Sequence, residues 1–262
     1  MLTRGVMTRW SLATRRRWAT HIFTVLVIAA WAIGSSGVPS YLFPDPVTVF
    51  HRSVEFFLGY KLFSHVVASV THVLVSLTLA FLLGGALALM AHYVPVTRAM
   101  VHGRITPFLN SFSSVGWTLL AILWFGLNTG TVIFAITAII LPVCIINLQA
   151  GLESIDAEMA EMGRSFTRNW GRYFRLLVLP AMIPFMFATV RISFGVAWKV
   201  ALTAELFGGN SGFGFVINLA RQSFDSSQIF AVITIIVVIY VITDNLVLAP
   251  IQRRLVRHYA DD

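Results

Sequence analysis

Long apolar segments separated by short polar stretches dominate the hydropathy pattern of this chain. A membrane-spanning helix needs about 20 predominantly apolar residues. The apolar segments and the turn signals between them predict six such helices, at residues 19–36, 64–91, 105–125, 131–150, 181–205 and 228–250. The third and fourth come from one stretch, 105–152, which lacks Asp, Glu, Lys and Arg and is divided by the turn-forming GLNTG at 126–130.

The amino-acid composition is typical of a protein that is surrounded by lipid. The 262 residues are 57% hydrophobic and only 11% charged, with a mean hydropathy of +0.81, whereas about a quarter of an average soluble domain is charged. The polar surface is too small to cover a water-exposed globule, so we predict an all-α integral membrane protein. The single cysteine, Cys144, lies in an apolar run, which excludes a disulfide framework and favours a small buried hydrophobe.

The basic residues predict the orientation and the boundaries of the chain. A net charge of +8 raises the question of nucleic acid, but the cations are dispersed between apolar segments, so no nucleic-acid partner is expected. With the N-terminus inside, one side holds only Arg52, Lys61 and Arg221; the other holds Arg4, Arg9, Arg15, Arg16, Arg17, Arg98, Arg104, Arg164, Arg168, Arg172, Arg175, Arg253, Arg254 and Arg257. This asymmetry places both termini in the cytoplasm.

We therefore expect a basic cytoplasmic N-terminus at 1–18, a six-helix transmembrane domain at 19–250 and a cytoplasmic tail at 251–262. The first apolar segment follows several arginines, as in a signal peptide, but it is long for one and further spans follow. We interpret it as a retained first membrane helix.

The connection between the fourth and fifth spans, about 153–180, is unusually charged for this chain. At 100° per residue its arginines share a narrow arc with Glu161, and its aromatic residues lie opposite. Gly171 is expected to break this helix, while Pro180 and Pro184 are expected to mark its end and the start of the next one. Periodicity alone allows two interpretations, a helix on the anionic inner leaflet or a docking helix for a cytoplasmic partner.

Charged side chains inside the membrane are candidates for a translocation path or gate. Arg191, Lys199 and Glu205 fall in the fifth predicted span, where a charge costs about 2.5–3.5 kcal/mol on insertion scales if it faces lipid. The alternatives are a structural ion pair or, for Lys199, a side chain that extends to the outer interface. Asp244 in the sixth span is expected to be a helix-packing partner.

The sequence shows no pattern typical of an enzyme. A phosphate-binding loop needs Gly followed by Lys and Ser or Thr, and neither Lys61 nor Lys199 lies in such a pattern. This chain is therefore expected to bind no ATP by that route. His65 and His72 could share a helix face, but ordinary core or interfacial histidines are favoured over a metal site.

Several segments, in preserved order, resemble the permeases of binding-protein-dependent ABC importers. SIDAEMAE at 154–161, then Met162 and Gly163, VLP ending at Pro180, and Pro184 resemble the EAA loop of that family. LFPDPVTVF at 42–50, LLAILWFGL at 119–127 and GVAWKVALTAELFGGNSGFGF at 195–215 resemble its nitrate, sulfonate and taurine branch. Two positions depart from the usual pattern, Thr167 in place of Gly and Gly163 in place of Ala.

The resemblance implies a type I importer fold with a coupling helix between helices 4 and 5. It implies that this loop docks on a separate ATPase, with an interface at Asp156, Glu158, Glu161, Gly163, Arg164, Thr167 and Trp170, and that ATP and Mg belong to that partner rather than to this chain. Further implied partners are an extracytoplasmic substrate-binding protein and a second permease copy in the bacterial inner membrane. The path candidates are Arg191, Trp198, Lys199 and Glu205.

Two other classes of function remain open on the residues alone. A stand-alone secondary transporter or channel would leave the charged loop unexplained and shows no evident internal repeat. An intramembrane enzyme is disfavoured because no paired catalytic constellation is present. Two cations in the fifth span favour a small anionic solute, although Glu205 and Asp244 are available to neutralise them.

Overall fold

The structure is a computed structural model that describes residues 18–19, 22–167 and 169–252. The basic N-terminus and the C-terminal tail of the sequence prediction therefore lie largely outside the described residues. In chain order the helices are α1 Ile22–Ser35, α2 Pro46–Leu58, α3 Tyr60–Tyr93, α4 Pro95–Ser111, α5 Ser114–Phe125, α6 Thr129–Glu153, α7 Ala157–Phe166, α8 Trp170–Gly208, α9 Phe213–Gln222 and α10 Ser226–Gln252. The described part of the chain contains no strand, so the all-α prediction is confirmed.

Four of the described helices are long and apolar enough to cross a membrane, namely α3, α6, α8 and α10, and the bent pair α4–α5 makes a fifth crossing if it counts as one. These five coincide with the second to sixth predicted spans. The first predicted span is described in part, as α1 Ile22–Ser35, and residues 20–21 lie outside the described residues.

The third predicted span, 105–125, is not a single helix. It coincides with the end of α4 and with α5, and these two helices meet at an angle of 89°. The chain turns at Phe112, which has an extended backbone, and Ser113 then caps α5 by accepting a hydrogen bond from the backbone N–H of Gly116 at 3.3 Å. A side-chain cap of this kind satisfies a backbone donor at the helix start, which stabilises a new helix here.

The prediction that Pro180 and Pro184 separate two helices is also wrong. Helix α8 runs without interruption from Trp170 to Gly208. Immediately before Pro180 the backbone forms a π-helical segment, Phe174–Val178. Its wider turn rearranges the backbone hydrogen bonds next to a residue that lacks an N–H, and Pro184 is then contained inside the helix. Membrane helices tolerate prolines where local π adjustments satisfy the backbone again.

Helices α3, α6 and α8 pack at the centre of the bundle through small residues. A Cβ atom at Gly84 of α3 would lie 2.7 Å from the Cβ atom of Cys144 on α6. A Cβ atom at Gly151 of α6 would lie 2.7 Å from the Cβ atom of Phe185 on α8. Glycine at both crossings allows the helix backbones to approach closely. Cys144 is fully buried there, as predicted for a small hydrophobic residue.

The bundle has two ends that serve different purposes. The first, called the α7 end, contains α7 with the last turns of α3 and α6 and the first turn of α8. The other, called the α9 end, contains α9 with the first turns of α6 and α10. At the α9 end Asp45 caps α2, and its hydrogen bonds with Thr48 hold the pKa of this carboxyl below its usual range. The candidate functional residues divide between these two ends and the core.

Candidate functional site

The predicted coupling loop folds as two helices joined by a sharp turn. Helix α7 starts after Asp156 and ends at Thr167, whose extended backbone (φ −151°) any residue can adopt. The side chain of Asn169 then accepts hydrogen bonds from the backbone N–H groups of Gly171 (3.0 Å) and Arg172 (3.3 Å), which caps α8. The sequence predicts a break at Gly171, but the structure has the break before Asn169. The Thr167 that replaces the family's usual glycine meets no backbone strain here.

The expectation of one helix with a charged face and an aromatic face is corrected by this turn. Residues 157–166 and 170–175 belong to different helices, so their side chains do not share one helical surface. Trp170 and Tyr173 pack against other parts of the chain, although Trp170 stays 52% exposed. The ring of Trp170 lies 4.7 Å from Tyr93 on α3 and 5.5 Å from Tyr173, which is buried. This aromatic cluster holds the start of α8 against the end of α3.

Gly163 is the point at which α7 contacts α8. A Cβ atom at this position would lie 2.5 Å from Cδ1 of Leu177 and 3.0 Å from Cε2 of Tyr173. The residue therefore permits a close helix contact within the chain, in addition to any role at a partner interface. This contact turns the opposite face of α7 away from the bundle.

The exposed face of α7 combines acidic and apolar side chains. Its exposed residues, preceded by the exposed Asp156, are Glu158, Met159, Glu161, Met162 and Ser165. Met159 and Met162 expose 45% and 56% of their surface. Methionines of this kind are flexible contacts, typical of surfaces that accept a protein partner. The side chain of Arg164 lies outside the described residues.

Inside the membrane segment, Arg191 is engaged in an ion pair within the chain. Its guanidinium donates two hydrogen bonds to the carboxylate of Asp244 on α10, at 2.8 and 2.9 Å, and a third to the side-chain oxygen of Gln252. The fork of a guanidinium matches a carboxylate in this two-point geometry. The pair joins α8 to α10 and neutralises both charges, which agrees with the packing role predicted for Asp244.

Glu205 forms the centre of a buried polar network. It is 1% exposed, accepts hydrogen bonds from the Ser69 hydroxyl (2.8 Å) and the Gly214 N–H (2.9 Å), and lies 2.8 Å from Nδ1 of His72. The Ser69 hydroxyl in turn accepts a hydrogen bond from the backbone N–H of Phe213 at 2.7 Å. The carboxylate thus ties the start of α9 to α3 and α8.

The backbone of the α8–α9 turn is shaped around this carboxylate. Gly212 has φ +102°, and a Cβ atom there would lie 2.3 Å from the carboxyl carbon of Glu205. Its N–H donates to Nδ1 of His65 at 3.2 Å. Both histidines that sequence reasoning considered for a metal therefore have hydrogen-bond partners in this network. The sequence did not single out Ser69, and it raised His72 only as a possible metal ligand, because their partner Glu205 is 133 or more residues away.

The remaining path candidates occupy different environments. Trp198 is 5% exposed and packs against Phe194 and Phe213 in the core. Lys199, the next residue along the same helix, is exposed. No ion pair of the described residues includes Lys199. Of the charged residues predicted in this span, Lys199 alone is both exposed and unpaired within the part of the chain that the structure describes.

Comparison with known proteins gives the class to which this architecture belongs. A family model described as "Binding-protein-dependent transport system inner membrane component" matches residues 11–261. The putative aliphatic sulfonates transport permease protein of Bacillus subtilis (strain 168) is 32% identical over 241 residues, covering 90% of this chain and 86% of the relative. The taurine transport system permease protein of Escherichia coli (strain K12) is 26% identical over 263 residues, covering 97% and 94%.

The fold agrees with that class. The chain is similar to a permease chain in an inward-facing structure of the MetNI methionine ABC transporter, with a TM-score of 0.66 at 14% identity over 76% of this chain and 97% of the other. The chain belongs to the family of inner membrane components of binding-protein-dependent transport systems. It is a permease subunit of an ABC importer with the type I fold, as the sequence predicted. In such importers a partner subunit hydrolyses the ATP.

Proposed function

We propose that this permease carries a small anionic solute across the bacterial cytoplasmic membrane, through a path that it forms with a second copy of itself. Two ATPase subunits, which bind ATP and Mg, dock on the α7 end. A substrate-binding protein delivers the solute at the α9 end. The single observation that carries the proposal is the exposed acidic and methionine-bearing face of α7 in a chain of this family.

The distribution of cations supports the orientation. The residues at and beyond the α7 end account for nearly all arginines outside the membrane, whereas the α9 end has Arg52, Lys61 and Arg221. Positive charge in short loops remains on the cytoplasmic side. The α7 end accordingly faces the cytoplasm, where ATP is available, and both termini lie on that side.

The exposed face of α7 favours a protein partner over a lipid surface. Helices that lie on anionic membranes expose Lys and Arg on the polar face and are attracted by negative headgroups. The described exposed side chains of α7 include Glu158 and Glu161, which the same headgroups repel. A face with carboxylates beside methionines fits a groove that combines basic and apolar groups. We therefore assign α7 as the coupling helix.

The solute class is supported by the relatives. The two curated relatives described above are named for aliphatic sulfonates and for taurine, compounds that carry a sulfonate group. The cation Lys199 in the membrane segment of this chain is compatible with such an anion.

Glu161→Lys tests the assignment of α7. Reversing this charge places a cation in a contact built for a carboxylate, so the yield of co-purified ATPase should fall at least about tenfold. Membrane insertion should not change, because Glu161 is exposed at the bundle end. Glu55→Lys at the α9 end is the matched control, since Glu55 is also an exposed glutamate and, among the described residues, its carboxylate forms an ion pair only with Arg52.

The measurement is pull-down of the ATPase with tagged permease, together with ATP hydrolysis in reconstituted vesicles. If α7 instead lies on lipid, the ATPase yield should not fall, because Glu161→Lys would strengthen the attraction of α7 to anionic headgroups. Normal complex yield and normal coupled hydrolysis in Glu161→Lys would overturn the assignment.

A further inference from the structure

Lys199 presents an unpaired ammonium group from the membrane segment of α8. The residue is exposed and lies nine positions before the end of α8 at Gly208, roughly 13 Å along the helix axis. Every ion pair found among the described residues involves other side chains. The described part of the chain therefore leaves this charge available to a group outside it.

The other cation of the same helix differs from Lys199 in this respect. Arg191 donates three hydrogen bonds to Asp244 and Gln252, and the Asp244 carboxylate neutralises its charge, so it joins α8 to α10 within the chain. Glu205, two turns beyond Lys199, is fully buried and directed to α3 and α9. Neither residue neutralises Lys199.

The neighbours of Lys199 show which surface carries it. Ile192 precedes Lys199, and Thr203 and Phe207 follow it, at helical spacing on the same side of α8; Ile192 and Phe207 are 49% and 46% exposed. An ammonium on a stripe of this kind is strongly disfavoured against acyl chains, and ionisable residues within membrane segments face a bundle interior or a water-filled cavity. The stripe therefore faces the interior of the assembled transporter.

We propose that Lys199 is an anion-binding residue of the translocation path, whose ammonium group pairs with the sulfonate or carboxylate of the solute during passage. This inference rests on the proposed function, since the path is formed by two copies of the chain. Two copies bring two Lys199 ammonium groups to one path, where they repel each other. The anionic group of a passing solute relieves that repulsion, and the charge selects against solutes that lack such a group.

The test uses the complete transporter in proteoliposomes, with permease, ATPase and binding protein. ATP-dependent uptake is measured with three probes, taurine, butanesulfonate and the uncharged riboflavin. Wild type should import a sulfonate. Lys199→Met should lower that uptake at least about tenfold, because the desolvated anion loses its charge partner, while Lys199→Arg retains most of it. Leu176→Met, at an exposed position of α8 outside this stripe, is the control and should match wild type.

A second measurement does not depend on uptake by the Met variant. Lys199→Cys in a Cys144→Ala background should react with the impermeant reagent 2-sulfonatoethyl methanethiosulfonate, because a position that lines an aqueous path is accessible and one that faces acyl chains is not. The inference is overturned if Lys199→Met imports the sulfonate at the wild-type rate, if the Cys variant is inaccessible, or if wild type imports riboflavin and neither sulfonate. Failure of the proposed function looks different, because no ATPase then co-purifies with the wild-type permease.

Discussion

Gly163 shows how a single side-chain position fixes the geometry of the coupling region. The nearest atoms to a Cβ atom there belong to Leu177 and Tyr173 of α8. The family resemblance marked this position for contact with the ATPase. The structure adds an intrachain requirement, because α7 can approach α8 only if the residue between them is small.

This requirement predicts a graded response to size. Gly163→Leu should destabilise the permease by about 1–3 kcal/mol, because the added atoms overpack the α7–α8 contact. Gly163→Ala should be mild, since the methyl end of Leu177 can turn away from one added carbon. Gly171→Ala is the control, because its Cβ atom would lie 3.4 Å from the nearest neighbour, Oδ1 of Asn169.

Thermal unfolding of the purified permease in detergent measures the effect on packing. If Gly163→Leu unfolds like wild type and yet fails to retain the ATPase, the intrachain account is wrong and Gly163 acts at the interface alone.

At the scale of elements, the apolar segments of the sequence were sufficient to locate the crossing helices but not to define their shape. Hydropathy detects where a helix lies in lipid, because every membrane helix must be apolar over a similar length. It does not detect the bend at Phe112 or the π-helical segment before Pro180, since both depend on local hydrogen bonds that leave hydropathy unchanged. Single positions such as Pro180 therefore misled the prediction of helix ends.

The candidate site was also only partly predictable from the sequence. The loop motif located α7, whereas the network of Glu205 with Ser69 and His72 joins residues far apart in the chain. No local sequence pattern predicts such a contact. Arg191 and Asp244 were each noticed as intramembrane charges, but their pairing became evident only from the packing of α8 on α10.

The Arg191–Asp244 pair predicts a non-additive mutational response. Arg191→Met leaves the Asp244 carboxylate without its main partner, and Asp244→Asn leaves the guanidinium charge uncompensated, so each variant should lower thermal stability. The double variant Arg191→Met/Asp244→Asn removes both charges and should recover part of the loss. Melting temperatures of the four proteins in detergent give the coupling. Strictly additive losses would show that the two residues do not stabilise α8 against α10 as a pair.

At the scale of the whole molecule, the predicted orientation in the membrane can be tested with inserted reporters, and the fold indicates suitable insertion sites. A reporter inserted after Gly171 should be cytoplasmic, and one inserted after Ser223 should be extracytoplasmic, because the arginine-rich α7 end remains inside. Gly212 is unsuitable for insertion, since it packs on the Glu205 carboxyl group. The insertion site after Ser223 is better suited, because Phe224, the next residue, is 82% exposed.

Alkaline phosphatase and fluorescent-protein fusions at the two sites measure the orientation. Phosphatase activity from the Gly171 insertion would reverse the orientation and exclude docking of a cytoplasmic ATPase on α7.

The continuity of α8 has a mechanical consequence. Its 39 residues form a rod about 58 Å long that begins beside α7 and ends at the Glu205 network. A rod does not absorb displacement along its length as two helices separated at Pro180 would. Pivoting it by about 10° around its middle displaces each end by about 5 Å, in opposite directions. A push on α7 at one end of the bundle would therefore become a counter-movement at the other end, and α9 would move with it.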